Sequence, residues 1–240
     1  MTVTRNIVIG VLSLQGAFLE HSIYLKKAIA NNENKYLNYS FEVIEVRTKD
    51  QLEKCDSLVI PGGESSAMSY IAERTELLPS LYKFVADESK SIWGTCAGLI
   101  FLSKEIINGL ENQRCLGGLD IQVNRNAFGR QIDSFEKKLD FSEFIPDCKD
   151  FPTVFIRAPV VTKILNETTD DKQLIKSENN YQNPAPVEVL YKLHNYHGDN
   201  ELIVAVRQGR ILGTSFHPEL SDDYRFHQWF IDEFVLKTCK

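Results

Sequence analysis

Asn6-Ile-Val-Ile-Gly-Val-Leu-Ser-Leu14 is a near-continuous apolar run, the pattern of a strand buried on both faces of a parallel sheet. Gln15-Gly16 then turns the chain, and Phe18, Ile23, Leu25 and Ile29 supply apolar positions for a helix from about Ala17 to Ala30. Asn31 to Ser40 is polar and Asn-rich and predicts a loop, while Phe41 to Val46 alternates like a second strand and Thr48 to Lys54 predicts a short helix. Ser57-Leu-Val-Ile60 is a third strand, broken at once by Pro61-Gly62-Gly63. Helical stretches follow over Ser65 to Glu73 and Leu77 to Glu88, then a short buried strand at Ser91-Ile-Trp93 and an apolar helix opening at Leu99-Ile-Phe-Leu102. Strands and helices alternating in this way predict a doubly wound parallel sheet.

The middle is less regular. Cys115 to Val123, Ser134 to Phe141 and Thr153 to Arg157 predict strands, with Asn124 to Gln131 connecting the first two. Leu165 to Pro186 is rich in Asn, Asp, Glu and Lys and reads as a surface excursion. Val187 to Leu193 and Leu202 to Val206 predict strands, and Gln208-Gly209 marks a hairpin turn into Ile211 to Phe216. A last helix, Asp222 to Lys237, repeats apolar residues at Phe226, Phe230 and Phe234. No repeat and no linker divides the chain, so residues 1–240 are expected to form a single domain.

Composition narrows the function. The 240 residues are 43% hydrophobic, enough for a full core. A net charge of -6 argues against nucleic acid or an anionic membrane as the main partner. No apolar run reaches membrane-spanning length, and no signal-peptide pattern opens the sequence. Five cysteines without a C-x-x-C pair fit neither a disulfide framework nor a zinc site and predict a reducing, cytoplasmic setting.

Gly94-Thr-Cys-Ala-Gly98, between a strand and a helix, is the cysteine form of the nucleophile elbow. Only small neighbours fit so sharp a turn, and Cys96 is set at a helix N-terminus, where the thiolate is favoured. A nucleophilic cysteine needs a base and a group to orient that base. Of the histidines His21, His194, His197, His217 and His227, His217 has the required spacing. On an extended chain it shares a face with Glu219, and Pro218 between them favours that extension. His194 and His197 lack the further ligands of a metal site, so no metal is expected. His21 and His227 fall on helix patterns and read as surface or core-edge residues. In Pro61-Gly-Gly-Glu-Ser65 the paired glycines can aim N–H groups into a site as oxyanion donors; the spacing of a phosphate-binding loop is missing.

Together these residues resemble the class I, or triad, glutamine amidotransferases: a Gly-Gly loop, then Gly-Thr-Cys-Ala-Gly, then His-Pro-Glu near the C-terminus. Within that family the chain is similar to the glutaminase subunits of pyridoxal phosphate synthase. The segments that carry this likeness are Gly10-Val-Leu-Ser-Leu-Gln-Gly-Ala17, Pro61-Gly-Gly-Glu-Ser-Ser66, Trp93-Gly-Thr-Cys-Ala-Gly-Leu99, Arg125-Asn-Ala-Phe-Gly-Arg-Gln-Ile-Asp-Ser-Phe135, Val154-Phe-Ile-Arg-Ala-Pro159 and Gly213-Thr-Ser-Phe-His-Pro-Glu-Leu220. The two Arg-containing segments separate this branch from other triad glutaminases. The resemblance implies a three-layer, doubly wound, mostly parallel flavodoxin-like α/β sheet with an antiparallel extension.

It also implies that Cys96 attacks the carboxamide of L-glutamine, that His217 carries the proton and that Glu219 orients the imidazole. Gly63 and Ala97 would supply oxyanion N–H groups, and Gly62, Gly63, Glu64, Arg125, Ile156 and Arg157 would bind glutamine. An arginine fork suits a carboxylate, although the residues alone leave Arg125 and Arg157 readable as surface ion-pair groups. The implied partner is a barrel-fold synthase subunit that receives ammonia in a hetero-oligomer and makes pyridoxal 5'-phosphate. The implied glutaminase needs no cofactor. Gln15, in the loop after the first strand, reads either as a turn residue or as one that feels this docking.

Three rivals stand beside this reading. One is a glutaminase for another synthase, such as imidazole glycerol phosphate synthase, which the Arg125 and Arg157 segments oppose. A cysteine peptidase or stress protein of similar fold would have a histidine where Ala97 stands. A non-catalytic binding subunit would have a broken triad.

Overall fold

The computed structural model describes residues 4–125, 134–165, 174–194 and 201–238. The first part of the chain alternates strand and helix as expected: β1 (Arg5–Leu12), α1 (Phe18–Ala30), β2 (Tyr39–Val46), α2 (Lys49–Leu52), β3 (Ser57–Ile60), α3 (Ser65–Arg74), α4 (Leu78–Ala86), β4 (Ser91–Thr95) and α5 (Ala97–Leu102). A run of strands follows: β5 (Ser103–Ile107), β6 (Leu119–Asn124), β7 (Ser134–Leu139), β8 (Phe151–Ile156), β9 (Val160–Ile164), β10 (Ile175–Lys176), β11 (Val187–Leu193), β12 (Leu202–Gln208) and β13 (Ile211–Thr214). The chain closes with α6 (Arg225–Phe230), a π turn (Ile231–Val235) and α7 (Leu236–Thr238).

The strands β2-β1-β3-β4-β13 lie side by side and all parallel, the order of a flavodoxin-like sheet. Beyond β13 the sheet turns antiparallel through β12 and β9 to β6, and β5 and β10 form the far edge. Strands β7 and β8 pair separately as a two-stranded ribbon.

Strand alternation explains the layers. Ile7, Ile9 and Val11 of β1 join Val59, Trp93, α1 and the aromatic residues of α6 on one face. Val8 and Leu12 join Leu58, Ile60, Ile92 and the buried residues of α3, α4 and α5 on the other. Phe226 sits at the centre of the first face: its ring lies 5.7 Å from Trp93, 5.4 Å from Phe141 and 5.5 Å from Phe151.

Several expectations are corrected. Strands β5 and β9 fall where no strand was expected, because the apolar run of α5 passes directly into β5 and hides the boundary between the two. The strand expected from Cys115 starts only at Leu119. Residues 165–186 are more than a surface excursion. Ile175 and Lys176 extend the sheet edge, and the side-chain amides of Asn179 and Asn183 donate to the carbonyls of Leu116 and Gly118. The polar 31–40 stretch contains a short 3₁₀ turn at Glu33–Lys35. Ile23, expected on the apolar face of α1, is exposed; the inward stripe of that helix is His21, Leu25 and Ala28. Within the predicted connection 124–131, residues 126–131 lie outside the described residues, as do His197 and Cys239.

Candidate active site

Parallel strands present all their C-terminal ends along one edge of the sheet, and loops at that edge converge. Strand β4 is flanked by β3 and β13, in a register that pairs Thr95 with Thr214 and Gly94 with Ile60. Cys96 therefore leaves β4 between the Pro61-Gly62-Gly63 turn and the segment that carries His217.

Cys96 has φ 49° and ψ -103°, a conformation that costs on the order of 1–3 kcal/mol and is seen where a fold holds a reactive side chain in place. Its neighbours are small for steric reasons. A methyl on Gly94 would meet the Gly98 carbonyl oxygen at 2.5 Å, and one on Gly98 would strike the carbonyl of Ile60. The Cys96 N–H donates to Thr214 O at 2.8 Å, which ties the elbow to β13.

His217 is anchored by its own N–H, which donates to Val154 O of β8 at 2.8 Å. Its ring Nδ1 lies 2.7 Å from Glu219 Oε1, leaving Nε2 free for the cavity whose lining His217 shares with Cys96; the Cys96 Sγ lies 3.9 Å from Ile156 O. Burial works against a charge on this ring, but the neighbouring Cys96 and Glu219 outweigh it and raise His217 to about 10. Burial likewise opposes charge on Glu219, yet the paired histidines His21 and His217 hold its carboxyl well below the usual range. Three other cysteines lie away from this site. Burial pushes the Cys55 and Cys115 thiols up to about 12 and that of Cys148 to about 11, so they stay protonated at neutral pH.

The loop opposite Cys96 is fixed by the turn after β1. Gly62 O accepts from the Ala17 N–H at 3.0 Å, and the Glu64 N–H donates to Gln15 Oε1 at 2.9 Å. In a trans peptide this aims the Gly63 N–H away from Ala17. Gly62 is required by close approach, since a methyl there would come within 2.6 Å of His217 Nδ1. Glu64 caps α3, accepting from the N–H groups of Ser66 at 3.1 Å and Ala67 at 2.7 Å. It also takes the Arg125 guanidinium at 2.8 Å. Arg125 donates in addition to Gln113 Oε1 at 3.1 Å. Although burial raises it, the bonds to Ser66 and Ala67 and the Arg125 charge hold Glu64 below its ordinary value.

A cavity of about 280 Å³ opens over these groups, lined by Gly63, Glu64, Ser65, Cys96, Ile100, Arg125, Ile156, Arg157 and His217. Arg157 has φ 45°, a bend that brings the end of β8 to the rim. The structure thus gathers Cys96, His217, Gly63, Glu64, Arg125, Ile156 and Arg157 around one space, with Gly62 close against His217. Glu219 lies behind His217, and Ala97 follows the elbow. Gln15 stands behind the glycine loop, bonded to Glu64. Residues 126–133 of the Arg125 segment lie outside the described residues.

Two expectations about histidines change. His21 and His227 are wholly buried, and His21 Nε2 lies 3.2 Å from Glu219 Oε2. The available signal was position: His21 falls on the stripe it shares with Leu25 and Ala28, and a polar group on a core stripe needs a buried partner. His194 Nδ1 pairs with the Glu201 carboxylate at 3.1 Å, and no group of three or more metal-ligating side chains occurs among the described residues. Nor, among them, is any helix long and apolar enough to cross a membrane.

Residues 11–236 match the model of the SNO glutamine amidotransferase family. The chain is 49% identical to the pyridoxal 5'-phosphate synthase subunit SNO1 of Saccharomyces cerevisiae, over 95% of this chain and 93% of that one. It is 39% identical to the pyridoxal 5'-phosphate synthase subunit PdxT of Thermococcus onnurineus, over 93% of this chain and 96% of the other. A crystal structure of a glutamine amidotransferase aligns over 93% of this chain and 97% of its own, with a TM-score of 0.68 and 40% identity. By sequence and by fold alike, the chain belongs to the SNO glutamine amidotransferase family.

Proposed function

We propose that this chain, as one glutaminase domain, hydrolyses L-glutamine to L-glutamate and ammonia. It would pass the ammonia to a barrel-fold synthase subunit that builds pyridoxal 5'-phosphate. The observation that carries the reading is the strained Cys96 sharing with His217, itself bonded to Glu219, the lining of a cavity rimmed by Arg125 and Arg157. The synthase names of the relatives supply the destination of the ammonia.

The thiolate of Cys96 attacks the side-chain carboxamide carbon, and the oxygen gains negative charge as the carbon becomes tetrahedral. That oxyanion meets the N–H of Ala97, in the first turn of α5 where backbone donors lack helical partners, and the N–H of Gly63. His217 gives its proton to the departing nitrogen, which leaves as ammonia, and a glutamyl thioester remains. Water then attacks the thioester, with His217 as general base, and glutamate leaves as the Cys96 sulfur is restored. Glu219 holds the imidazole in the tautomer that presents Nε2 to the sulfur. Arg125 and Arg157 take the α-carboxylate of glutamine. Glu64, Gly62 and Ile156 complete the walls, with Glu64 holding Arg125 in its fork geometry. Gln15 carries the state of the docking face to the glycine loop. A reducing cytoplasmic setting fits the four described cysteines, all of them free.

The test is ammonia release from L-glutamine, with and without the synthase subunit. The wild type is expected to be slow alone and faster with its partner. Cys96→Ala should lose on the order of 10⁴-fold or more. Activity indifferent to the synthase would refute the partner assignment. A fully active Cys96→Ala would refute the nucleophile.

A further inference from the structure

Behind Glu219, a chain of close polar contacts continues into the core. His21 Nε2 lies 3.2 Å from Glu219 Oε2 and 3.1 Å from Thr95 Oγ1. His21 Nδ1 lies 3.0 Å from His227 Nε2. Both rings are wholly buried, packed against Trp93 at 5.4 Å and 5.1 Å. The reaction described above uses neither histidine.

Donor and acceptor counting assigns the protons. A carboxylate only accepts, so the contact with Glu219 Oε2 is favourable only if His21 Nε2 carries the hydrogen. That N–H bonds to Thr95 Oγ1 and lies beside Glu219 Oε2. Oε2 meets no aligned hydrogen-bond donor among the described residues, so the His21 N–H edge at 3.2 Å is the nearby positive group that offsets its desolvation. With Nε2–H fixed, a neutral His21 must accept at Nδ1, and the donor there is the Nε2–H of His227. His227 Nδ1 is then a bare buried lone pair, and it indeed has no partner. The opposite arrangement, with hydrogens on Nδ1 of both rings, would turn a lone pair toward the carboxylate and strand an N–H beside Trp93.

We propose that His21 is a positioning residue for the glutaminase reaction: its Nε2–H, bonded to Thr95 Oγ1, stands 3.2 Å from the inner oxygen of Glu219 and attracts that oxygen, and His227 fixes the tautomer that lets it do so. Glu219 thereby faces a histidine at both oxygens, with Oε1 bonded to His217 and Oε2 at 3.2 Å from His21. A carboxylate engaged at one oxygen can rotate about its side chain and release the His217 ring; attraction at the second oxygen opposes that rotation. Helix α1 and helix α6, which carry the two buried histidines, thus set the aim of a base at the edge of the sheet. This inference rests on the function proposed above.

The experiment compares His21→Phe, which keeps a ring of similar shape without a donor, with His21→Gln, whose side-chain amide can replace the Nε2–H. Ammonia release from L-glutamine is followed with the synthase subunit present. His21→Phe is expected to lower kcat on the order of 10-fold to 100-fold, the worth of one close polar contact to a buried charge, with KM within about twofold. His21→Gln is expected to recover most of kcat. A purely packing role predicts the reverse ranking, and equal kcat in wild type and His21→Phe would overturn the proposal. Should His21→Phe fail to fold, nitrogen-15 NMR of the wild type decides the matter: the hydrogen of His21 is expected on Nε2, and a hydrogen on Nδ1 alone would sink the idea. Absence of glutamine hydrolysis by the wild type strikes the proposed function instead, and the tautomer measurement then still decides the contact.

Discussion

At the scale of single residues, space and charge are settled within a few ångströms of the Cys96 sulfur. Gly62 lies so close to His217 that a methyl would press on its ring, at 2.6 Å from Nδ1. Gly62→Ala is therefore expected to displace the imidazole and lower kcat roughly 100-fold, since misplacement by about 1 Å costs that much. Its thermal stability should change little, because the His217 side chain can yield. Steady-state kinetics beside a melting curve check this, and unchanged kcat would show that the ring has room. The residues of this site divide by how they could be read in the sequence. Cys96 and the pair His217 and Glu219 are legible because each owes its role to neighbours one or two positions away. Glu219 nevertheless reaches the imidazole from a 3₁₀ turn at Pro218–Leu220, and not from the extended chain expected. The bond between His21 and His227 joins residues 206 positions apart. Helical periodicity tells which way His21 faces but not what it will meet, so its place beside Glu219 was hidden.

Among the elements, the closing helix shows how aromatic packing and backbone geometry cooperate. An α-helix carrying Phe226, Phe230 and Phe234 in an unbroken repeat drifts in facing as it lengthens, and the π turn at Ile231–Val235 resets it. All three rings remain buried against the sheet. Arg207 then lies over the Phe234 ring at 4.7 Å and pairs with Glu233 at 2.9 Å. Phe226→Ala is expected to destabilise the fold by about 3–5 kcal/mol, read as a lower urea midpoint with unchanged slope. A loss below 1 kcal/mol would mean that neighbouring rings collapse into the space. The helix was legible from its phenylalanine spacing, whereas the π turn was not, because the same residues suit either geometry. Strands β5 and β9 were missed for a related reason. Apolar residues of β5 continue those of α5, and a short apolar run does not declare its period.

For the whole molecule, the paired His217 and Glu219 predict a pH window of stability. Glu219 titrates lower in the fold than its ordinary 4.5. Its contribution is present above that pH and is lost as pH falls through the depressed value. His217 is raised from 6.5 to about 10, so its contribution is complete below 6.5 and fades as pH rises through 10. Melting temperature should therefore decline from about pH 6.5 toward pH 10, and His217→Gln should flatten that limb. The idea fails if the variant keeps the wild-type slope. The parallel half of the sheet was legible in the alternation of strand and helix, but the strand order was not. Nothing in the residues of β13 says that it docks beside β4, more than a hundred positions earlier, because that contact depends on the shape of both partners once folded.

The central place of β13 also has a consequence in time. It is the last strand in chain order among the described residues, yet it lies against β4, the strand that delivers Cys96. A chain emerging from the ribosome can assemble β1 through β4 and raise the thiol early, but the neighbour that brings His217 arrives only with the final portion of synthesis. Until then the open edge of β4 is exposed to wrong pairing, and the long loop that must close makes this a slow step. The same delay keeps the nascent thiol without its base. Chemistry is withheld until the chain has been read almost to its end.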